Sequence, residues 1–206
     1  MSAPSAGLQV RDMTLADCDP VAGIRVRGWR SAYRGLIPRS YLDAMSVRKD
    51  ADRHRARLLR GDGSVVNVVA ERAGKVVGWA CHGPYRDGEV PAGGVELYAI
   101  YVDPDHQGTG AGRALLDESI RRSAAAGHTR MYLWVLEGNT HARRFYERAG
   151  FRADGTEEPF EVDGVEVPEV RYARDLAVRS DISAASESAP APPPPPPRGS
   201  DGPTPR

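Results

Sequence analysis

Three glycines at alternate positions, Gly108, Gly110 and Gly112, stand where a β-type run gives way to a helix-like stretch in "AIYVDPDHQGTGAGRALL". Glycine adopts positive φ and lets a ligand or another backbone come close, at a cost in conformational entropy. The spacing therefore indicates a turn that allows close approach to the main chain. The free amides at the start of the following helix are suited to an anion such as a pyrophosphate.

Two other phosphate-binding patterns require different residues. A dinucleotide fold needs Gly-x-Gly-x-x-Gly early in a βαβ unit, whereas this chain has Gly-x-Gly-x-Gly in its middle. A P-loop needs a lysine directly after its last glycine, and no lysine follows here. A flexible strand-to-helix turn without a ligand is the remaining alternative, and the glycines alone leave it open.

The elements around the glycines predict one mixed α/β domain. Alternating and helical patterns follow each other in the order βααα-ββ-β-α-β-α-ββ, from the strand "LQVRDM" to a final strand pair before residue 177. A hairpin turn is predicted at Ala73 and Gly74. Ser46 is predicted to cap the third helix, the first is predicted to stop at Gly35, and the last to begin at Thr140.

Charge, hydropathy and cysteine content make several classes of partner and cofactor less expected. The chain has 206 residues with 28 basic and 28 acidic side chains, so its charge gives no reason to expect nucleic acid or an anionic membrane. No apolar run reaches the roughly 18 residues of a membrane span, and the N-terminus does not resemble a secretory signal. Cys18 and Cys81 match no metal-binding spacing. We expect two reduced thiols in a cytoplasmic protein without a metal.

Both ends of the chain are predicted to be disordered, over residues 1–7 and 177–206. The C-terminal segment is rich in Pro, Ser and Ala and lacks aromatic residues, so it cannot bury enough apolar surface to fold. Six consecutive prolines, Pro192 to Pro197, predict a short polyproline II rod. This rod is either a plain tail or a ligand for a proline-binding domain.

Two motifs together resemble the GNAT family of acetyl-CoA-dependent N-acetyltransferases. "QGTGAG", from Gln107 to Gly112, matches that family's Gln/Arg-x-x-Gly-x-Gly/Ala motif, and "NTHARRFYERAGF", from Asn139 to Phe151, is similar to its next signature. "WRSAYRGLIP" is similar to the first-helix region of bacterial members. The resemblance spans about residues 8–176. It implies a GNAT-like α/β (α+β) domain with a mixed, mostly antiparallel sheet of about seven strands flanked by helices, in which a splayed strand pair holds the cofactor.

The resemblance implies acetyl-CoA as the cosubstrate. In the family, the strand that here ends at Val102 pairs through its backbone with the pantetheine arm, and the glycine turn holds the pyrophosphate. Arg113 is either near a phosphate or an ordinary surface arginine, and Asn139 matches a position that often contacts pantetheine. The residues implied in cofactor binding are Ile100, Tyr101, Val102, Gln107, Gly108, Thr109, Gly110, Ala111, Gly112, Arg113 and Asn139.

Acetyl transfer to an amine requires a proton for the departing thiolate and a base for the amine. Tyr146 falls on the family's donor tyrosine, and a phenol with a pKa of about 10 can protonate a thiolate while staying neutral at pH 7. Packing beside Phe145 is the alternative. Glu96 corresponds to the catalytic base of the histone-acetylating branch. Ordered water is the alternative base, and an exposed strand-end glutamate is the alternative role for Glu96.

The acceptor amine is not identified by the sequence. Trp29 and Tyr33 share one helix face and could line an amine pocket or pack on the sheet. Residues 154–169 contain seven acidic side chains and no basic one, which suits a cationic substrate or a solvated hairpin. We predict an N-acetyltransferase acting on a primary amine of a small molecule or peptide. A catalytically silent acyl-CoA-binding module, an adaptor that uses its proline-rich tail, and a homodimer remain open.

Overall fold

A computed structural model describes residues 7–86 and 93–176, so the predicted C-terminal tail and the first six residues lie outside the described part of the chain. The strands are β1 (Gln9–Asp12), β2 (Val66–Arg72), β3 (Lys75–Pro84), β4 (Gly94–Val102), β5 (Arg130–Leu136), β6 (Arg152–Val162) and β7 (Val165–Asp175). The helices are α1 (Cys18–Ala32), α2 (Arg39–Ala44), α3 (Val47–Arg60), α4 (Ala111–Ala125) and α5 (Thr140–Arg148). None of these helices is long and apolar enough to cross a bilayer.

The seven strands form one sheet in the order β1-β2-β3-β4-β5-β7-β6. Only β4 and β5 run parallel, and every other neighbouring pair is antiparallel. Helices flank this sheet in a single domain. The predicted fold class, a mixed and mostly antiparallel sheet of about seven strands flanked by helices, is therefore confirmed.

Local sequence signals explain most of the element boundaries. Ala73 and Gly74 have φ values of 51° and 74°, so both central residues of the β2–β3 hairpin adopt the positive φ that a tight two-residue turn needs. The Ser46 side chain accepts a hydrogen bond from the Lys49 amide and caps α3. The first helix ends at Ala32, before the predicted stop at Gly35, because the chain turns from Tyr33 onward.

The two faces of the sheet carry different helices. On one face, α4 and α5 cover a core that includes Val77, Ala80 and Leu115. On the other face, α1 packs over Trp79 and Cys81. Trp79 and Cys81 alternate with Ala80 along β3, as the period of two in a strand requires. Cys18 and Cys81 are both buried free thiols.

His82 is a buried titratable residue on β3. It follows Ala80 by two residues on β3, it is 3% exposed, and its Nδ1 has no partner among the described residues. Burial lowers the pKa of His82 to about 4, and the positive charge of Arg122 and the nearby His128 act in the same direction. The folded chain therefore resists protonation at a site that the unfolded chain protonates near pH 6.5.

We expect this depressed pKa to make the folded state less stable in acid. Between about pH 6.5 and 4 the unfolded state binds a proton that the folded state excludes, so the free energy of unfolding falls by up to about 3 kcal/mol. The free energy of unfolding is measured with urea at pH 7 and at pH 5. Its decrease between these pH values should be about 2 kcal/mol smaller in His82→Gln than in the parent. His141→Gln, at an exposed position on α5, should keep the parental loss. Equal losses in the parent and His82→Gln would contradict the assignment.

Candidate active site

The sheet opens between β4 and β5. These strands pair only through Gly94 with Arg130, Val95 with Met131 and Glu96 with Tyr132. Beyond those pairs, residues 97–102 and 133–136 have no strand partner among the described residues on the edges that face each other. The two free edges border a wedge-shaped gap within the sheet.

A β-bulge lies where the strands separate. In the β3–β4 ladder Cys81 lies opposite Ala99, but the next residue, His82, lies opposite Leu97, so Tyr98 is the extra residue. A bulge bends its strand and increases the local twist. The position of this bulge, directly after the last β4–β5 pair, accounts for the divergence of the end of β4 from β5.

The peptide groups of Ile100 and Val102 point into the wedge. The Asp103 amide donates to the Val77 carbonyl on β3 at 2.9 Å, and peptide groups alternate in direction along an antiparallel strand. Those of Tyr101 therefore face β3, and those of Ile100 and Val102 face the gap. An extended ligand can pair with such a free edge as an added strand. Tyr101 instead presents its ring, which stacks on Trp79 with centroids 6.2 Å apart.

The glycine turn joins the end of β4 to α4. Gly108 and Gly110 have φ values of 73° and 90°, and Gly110 is the N-cap of α4. No described atom lies within 4 Å of a Cβ built at either position. Glycine is therefore favoured at both positions by the positive φ and not by a lack of space for a side chain. Gly112 differs: its Cβ would lie 3.4 Å from Val102 Cγ2 and 3.6 Å from the Phe145 ring.

The turn presents free donors to solvent. Residues 107–110 are exposed, and the amides of residues 108–113 donate to no acceptor among the described residues. Arg72 at the end of β2 donates from Nη2 to the Thr109 carbonyl at 3.0 Å, which fixes the turn against the sheet. Free amides at a helix N-terminus favour an anion. Arg113 is exposed and binds Asp117 on its own helix at 2.8 Å.

Asn139 caps α5 beside the wedge. It is buried, and its side-chain oxygen accepts a hydrogen bond from the Ala142 amide at 3.1 Å. The cap fixes the start of the helix that carries Tyr146. The Asn139 side-chain oxygen is thus used within α5, while its NH₂ group donates to no described residue.

Tyr146 is a buried phenol without a hydrogen-bond partner among the described residues. It is 9% exposed and packs edge-to-face on Phe145 and Phe151, with centroids 5.3 and 6.0 Å away. Burial raises the pKa of Tyr146 well above its ordinary value, and the nearby Tyr101 hydroxyl adds to the effect. This hydroxyl therefore keeps its proton at neutral pH.

Tyr33 approaches Tyr146 from the opposite face of the sheet. Burial raises the pKa of Tyr33, and the Tyr101 and Tyr146 hydroxyls and the Glu169 carboxylate on β7 raise it further. Tyr146 lies in the core beneath α4 and α5, whereas Tyr33 follows α1 on the other face. The electrostatic interaction of Tyr33 with Tyr146 thus links side chains on opposite faces of the sheet, beside the opening between β4 and β5. Tyr101 on β4 interacts with both.

Trp29 lies with Tyr33 in an aromatic cluster. Their rings meet edge-to-face at 4.9 Å, and Tyr41 and Phe160 lie 5.8 and 6.5 Å from Trp29. The Arg25 guanidinium lies 4.8 Å from the Trp29 ring centroid on the same helix. Trp29 thus packs among aromatic rings and the Arg25 guanidinium. Both Trp29 and Tyr33 interact with Tyr101.

Glu96 lies at the closed end of the wedge and is fully buried. Arg86 binds both carboxylate oxygens: its Nη2 lies 2.5 Å from Oε1, and its backbone amide donates to Oε2 at 3.1 Å. The half-exposed Arg86 side chain also stacks on the Tyr98 ring at 4.1 Å. The alternative of an exposed strand-end glutamate is wrong, because Glu96 is buried and ion-paired.

Two neighbours of the site were missed by sequence reasoning. Arg86 is ten residues from Glu96 and belongs to no motif, so no local signal indicated that it would bind this carboxylate. Glu169 was included only in the acidic segment 154–169, and nothing in that segment distinguished it. Its position on β7 opposite Leu136 places it near the open end of the wedge.

Comparisons with known proteins agree with this architecture. The model of the "Acetyltransferase (GNAT) family" matches residues 28–151. The uncharacterized N-acetyltransferase YuaI of Bacillus subtilis is 34% identical over 161 residues, which cover 78% of this chain and 89% of that protein.

Solved structures share the fold at lower identity. The PaiA N-acetyltransferase of Thermoplasma acidophilum, in complex with coenzyme A, has a TM-score of 0.65 at 17% identity and covers 82% of this chain and 99% of its own. YncA of Salmonella typhimurium, solved with its cofactor acetyl-CoA, has a TM-score of 0.64 at 23% identity and covers 90% and 99%. The family match spans more than half of the sequence, and this protein therefore belongs to the GNAT family of acetyltransferases.

Proposed function

We propose that this protein transfers the acetyl group of acetyl-CoA to a primary amine of a small molecule or peptide. The observation that carries the proposal is the wedge between β4 and β5, which combines a free strand edge, a glycine turn with free amides and a protonated Tyr146. Acetyl-CoA has a matching sequence of groups, with amides in its pantetheine arm, a pyrophosphate at one end and a thioester at the other.

The cofactor would bind mainly through the main chain. The pantetheine amides would pair with Ile100 and Val102, and the pyrophosphate would accept hydrogen bonds from the amides of residues 108–113. The NH₂ group of Asn139 is available to the pantetheine arm. The relatives solved with coenzyme A or acetyl-CoA support this assignment at the level of the shared fold.

The reaction needs two proton transfers. The neutral amine nitrogen attacks the thioester carbonyl carbon, and the C–S bond then breaks to release the coenzyme A thiolate. Tyr146 donates its proton to that thiolate and is reprotonated from solvent. Glu96 accepts the proton that the amine nitrogen loses, either directly or through one water.

Arg86 would hold the carboxylate of Glu96, the proposed base, in position. Cys81 and Tyr98 are titratable neighbours of Glu96, and each has a pKa of about 12, raised chiefly by burial. Both are therefore neutral at pH 5–9, so among the described neighbours Arg86 supplies the positive charge that compensates the buried carboxylate. This ion pair offsets the cost of burying the Glu96 carboxylate.

The acceptor is proposed to be a cationic amine. The β6–β7 hairpin exposes Glu157, Glu158, Glu161 and Glu166, and Glu169 lies near Tyr33 at the open end of the wedge. This concentration of negative charge would attract a cation. Tyr33 and the edge of the Trp29 cluster would form the wall that contacts it.

A silent acyl-CoA-binding module remains the second candidate. One observation favours it: both oxygens of Glu96 already accept hydrogen bonds from Arg86. Thiol release from acetyl-CoA across a panel of primary amines, including polyamines and basic peptides, separates the two functions. Amine-dependent thiol release supports the enzyme, and coenzyme A binding without turnover on any amine supports the module.

Tyr146→Phe tests the proton donor. The ring remains and only the hydroxyl is lost, so we expect coenzyme A affinity and the melting temperature to change little while kcat falls by about 100-fold. The measurement is steady-state kinetics with an accepted amine at saturating acetyl-CoA. Tyr172→Phe is the matched control, since Tyr172 is also buried and its hydroxyl binds Glu147 on the other side of α5. A Tyr146→Phe kcat within twofold of the parent would remove Tyr146 from the mechanism.

Gly110→Val tests the pyrophosphate site. A branched side chain at this position would occupy the space in front of the turn amides, and we expect coenzyme A to bind at least tenfold more weakly in calorimetry. Gly127→Val is the control, because Gly127 has a similar φ of 87° and equally open surroundings at the far end of α4. Both substitutions carry the same backbone strain, so equal affinities in the two variants would exclude a ligand at Gly110.

Arg86→Gln tests the role of the ion pair. Removing the counter-charge leaves a buried carboxylate without its ion-pair partner, and we expect kcat/KM to fall at least tenfold. Arg86→Lys retains the charge and should largely restore the parental kcat/KM. If Glu96→Gln keeps full activity, Glu96 is not the base; if Glu96→Gln is inactive and Arg86→Gln keeps the parental kcat/KM, the reaction does not need the ion pair.

A further inference from the structure

A groove outside the wedge is lined by four arginines. It lies between α5 and the starting segment of β6, has a volume of about 500 Å³, and has Tyr172 among its lining residues. We call it the arginine groove. Its guanidinium groups belong to Arg143, Arg144, Arg148 and Arg152, and the single carboxylate in its lining is Glu147.

The groove arginines are not neutralised by the described part of the protein. None of the four forms an ion pair with a described carboxylate, whereas Arg121 and Arg122 on α4 both bind Glu118. The carboxylates of Glu147 and Glu137 attract Arg143, and Glu147 also accepts a hydrogen bond from the Tyr172 hydroxyl through Oε1 at 2.9 Å. One carboxylate in the lining therefore faces four guanidinium groups. In a chain whose charges balance, this groove is a local concentration of positive charge.

Two of these guanidinium groups are held in fixed positions. Arg143 donates from Nε to the Tyr172 hydroxyl at 3.0 Å and from Nη1 to the Glu137 carbonyl at 3.1 Å. Arg152 donates from Nη1 to the carbonyls of Glu147 and Phe151 at 2.9 and 2.7 Å. A guanidinium has five N–H donors, so each retains donors that no described acceptor takes. Donors fixed in advance lose little entropy when a ligand binds.

The groove is separate from the proposed acetyl-CoA site. Phe145 faces the glycine turn, since its ring lies 3.6 Å from the Cβ position of Gly112, and Tyr146 faces the wedge. Arg143 and Glu147 contact Tyr172 and β6 residues instead. These contacts place the groove and the cofactor turn on different sides of α5.

We propose that the arginine groove binds a small multivalent anion of the phosphate class. Planar guanidinium donors match phosphate oxygens in geometry and charge. Five of its seven lining residues carry a charged group, and the other two are Ala153 and Tyr172. The volume is within the range of small-molecule sites, about 300–1,000 Å³, and leaves room for an oligophosphate or a phosphate ester.

Calorimetry with inorganic tripolyphosphate tests this site in the full-length chain saturated with coenzyme A. We expect binding that weakens at least tenfold in the double variant Arg144→Gln/Arg148→Gln. These two side chains are exposed and make no hydrogen bond to a described residue, so their loss should spare the fold. The control is Arg48→Gln/Arg60→Gln on α3, which removes the same charge from exposed positions and should leave the affinity within twofold.

Four results would overturn the proposal. They are no binding to the parent, an equal loss in the α3 control, binding only when coenzyme A is absent, and equally tight binding of citrate. The second would mean that overall charge is responsible, the third that the anion occupies the cofactor turn, and the fourth that the groove does not select phosphate. The third result requires a second titration of the parent without coenzyme A. In the main titration coenzyme A occupies the cofactor turn, so a failure of the groove to bind leaves the proposed acetyl transfer untouched.

Discussion

The short pairing of β4 with β5 is the constraint on which the rest of the site depends. Unpaired peptide groups inside a sheet are costly unless water or a ligand satisfies them. This protein keeps two such edges facing each other at the centre of a seven-stranded sheet. Each of β4 and β5 stays paired with its other neighbour, β3 or β7, along the open segment, so the fold tolerates the opening. The gap can therefore accommodate an extended ligand whose amide groups form hydrogen bonds with these strand edges.

Several contacts hold the open end of β4 in place. The Asp103 amide binds the Val77 carbonyl, and the Asp103 side chain pairs with Arg27 on α1. The chain then turns through Gly108 and Gly110 into α4, and Arg72 holds the turn by the Thr109 carbonyl. These links tie the free strand edge, the glycine turn and the helix N-terminus into one unit. The direction of the edge thus determines where the turn amides point.

The opening also lets the two layers of the domain share one site. Tyr146 belongs to the core under α4 and α5, and Tyr33 follows α1 on the other side. In a continuous sheet these side chains would be separated by backbone. Burial raises the pKa of both phenols, Tyr146 raises that of Tyr33 further, and both stay protonated at neutral pH. In the proposed reaction, Tyr146 would donate its proton at the opening that both layers share.

The sequence predicted the elements and the turn more fully than the site. Strand and helix order follows from local periodicity, and the positive φ of Gly108 and Gly110 follows from glycine spacing, so both were accessible without a structure. The Glu96–Arg86 pair depends on how the chain returns to β4 after β3, and the wedge depends on a bulge at Tyr98 that no alternating pattern records. Contacts of this kind arise from register between distant segments.

The net charge of the sequence predicted little about the charge at individual sites of the folded chain. A balance of 28 basic and 28 acidic residues gave no reason to expect nucleic acid or an anionic membrane, yet the folded chain separates these charges in space. The β6–β7 hairpin exposes a series of glutamates, and α5 turns arginines toward a groove a short distance along the same sheet. A ligand responds to the field near its own site, where uncompensated charges of one sign are grouped. A neutral chain can therefore attract a cation at one edge and an anion at another, and the two sites need not compete.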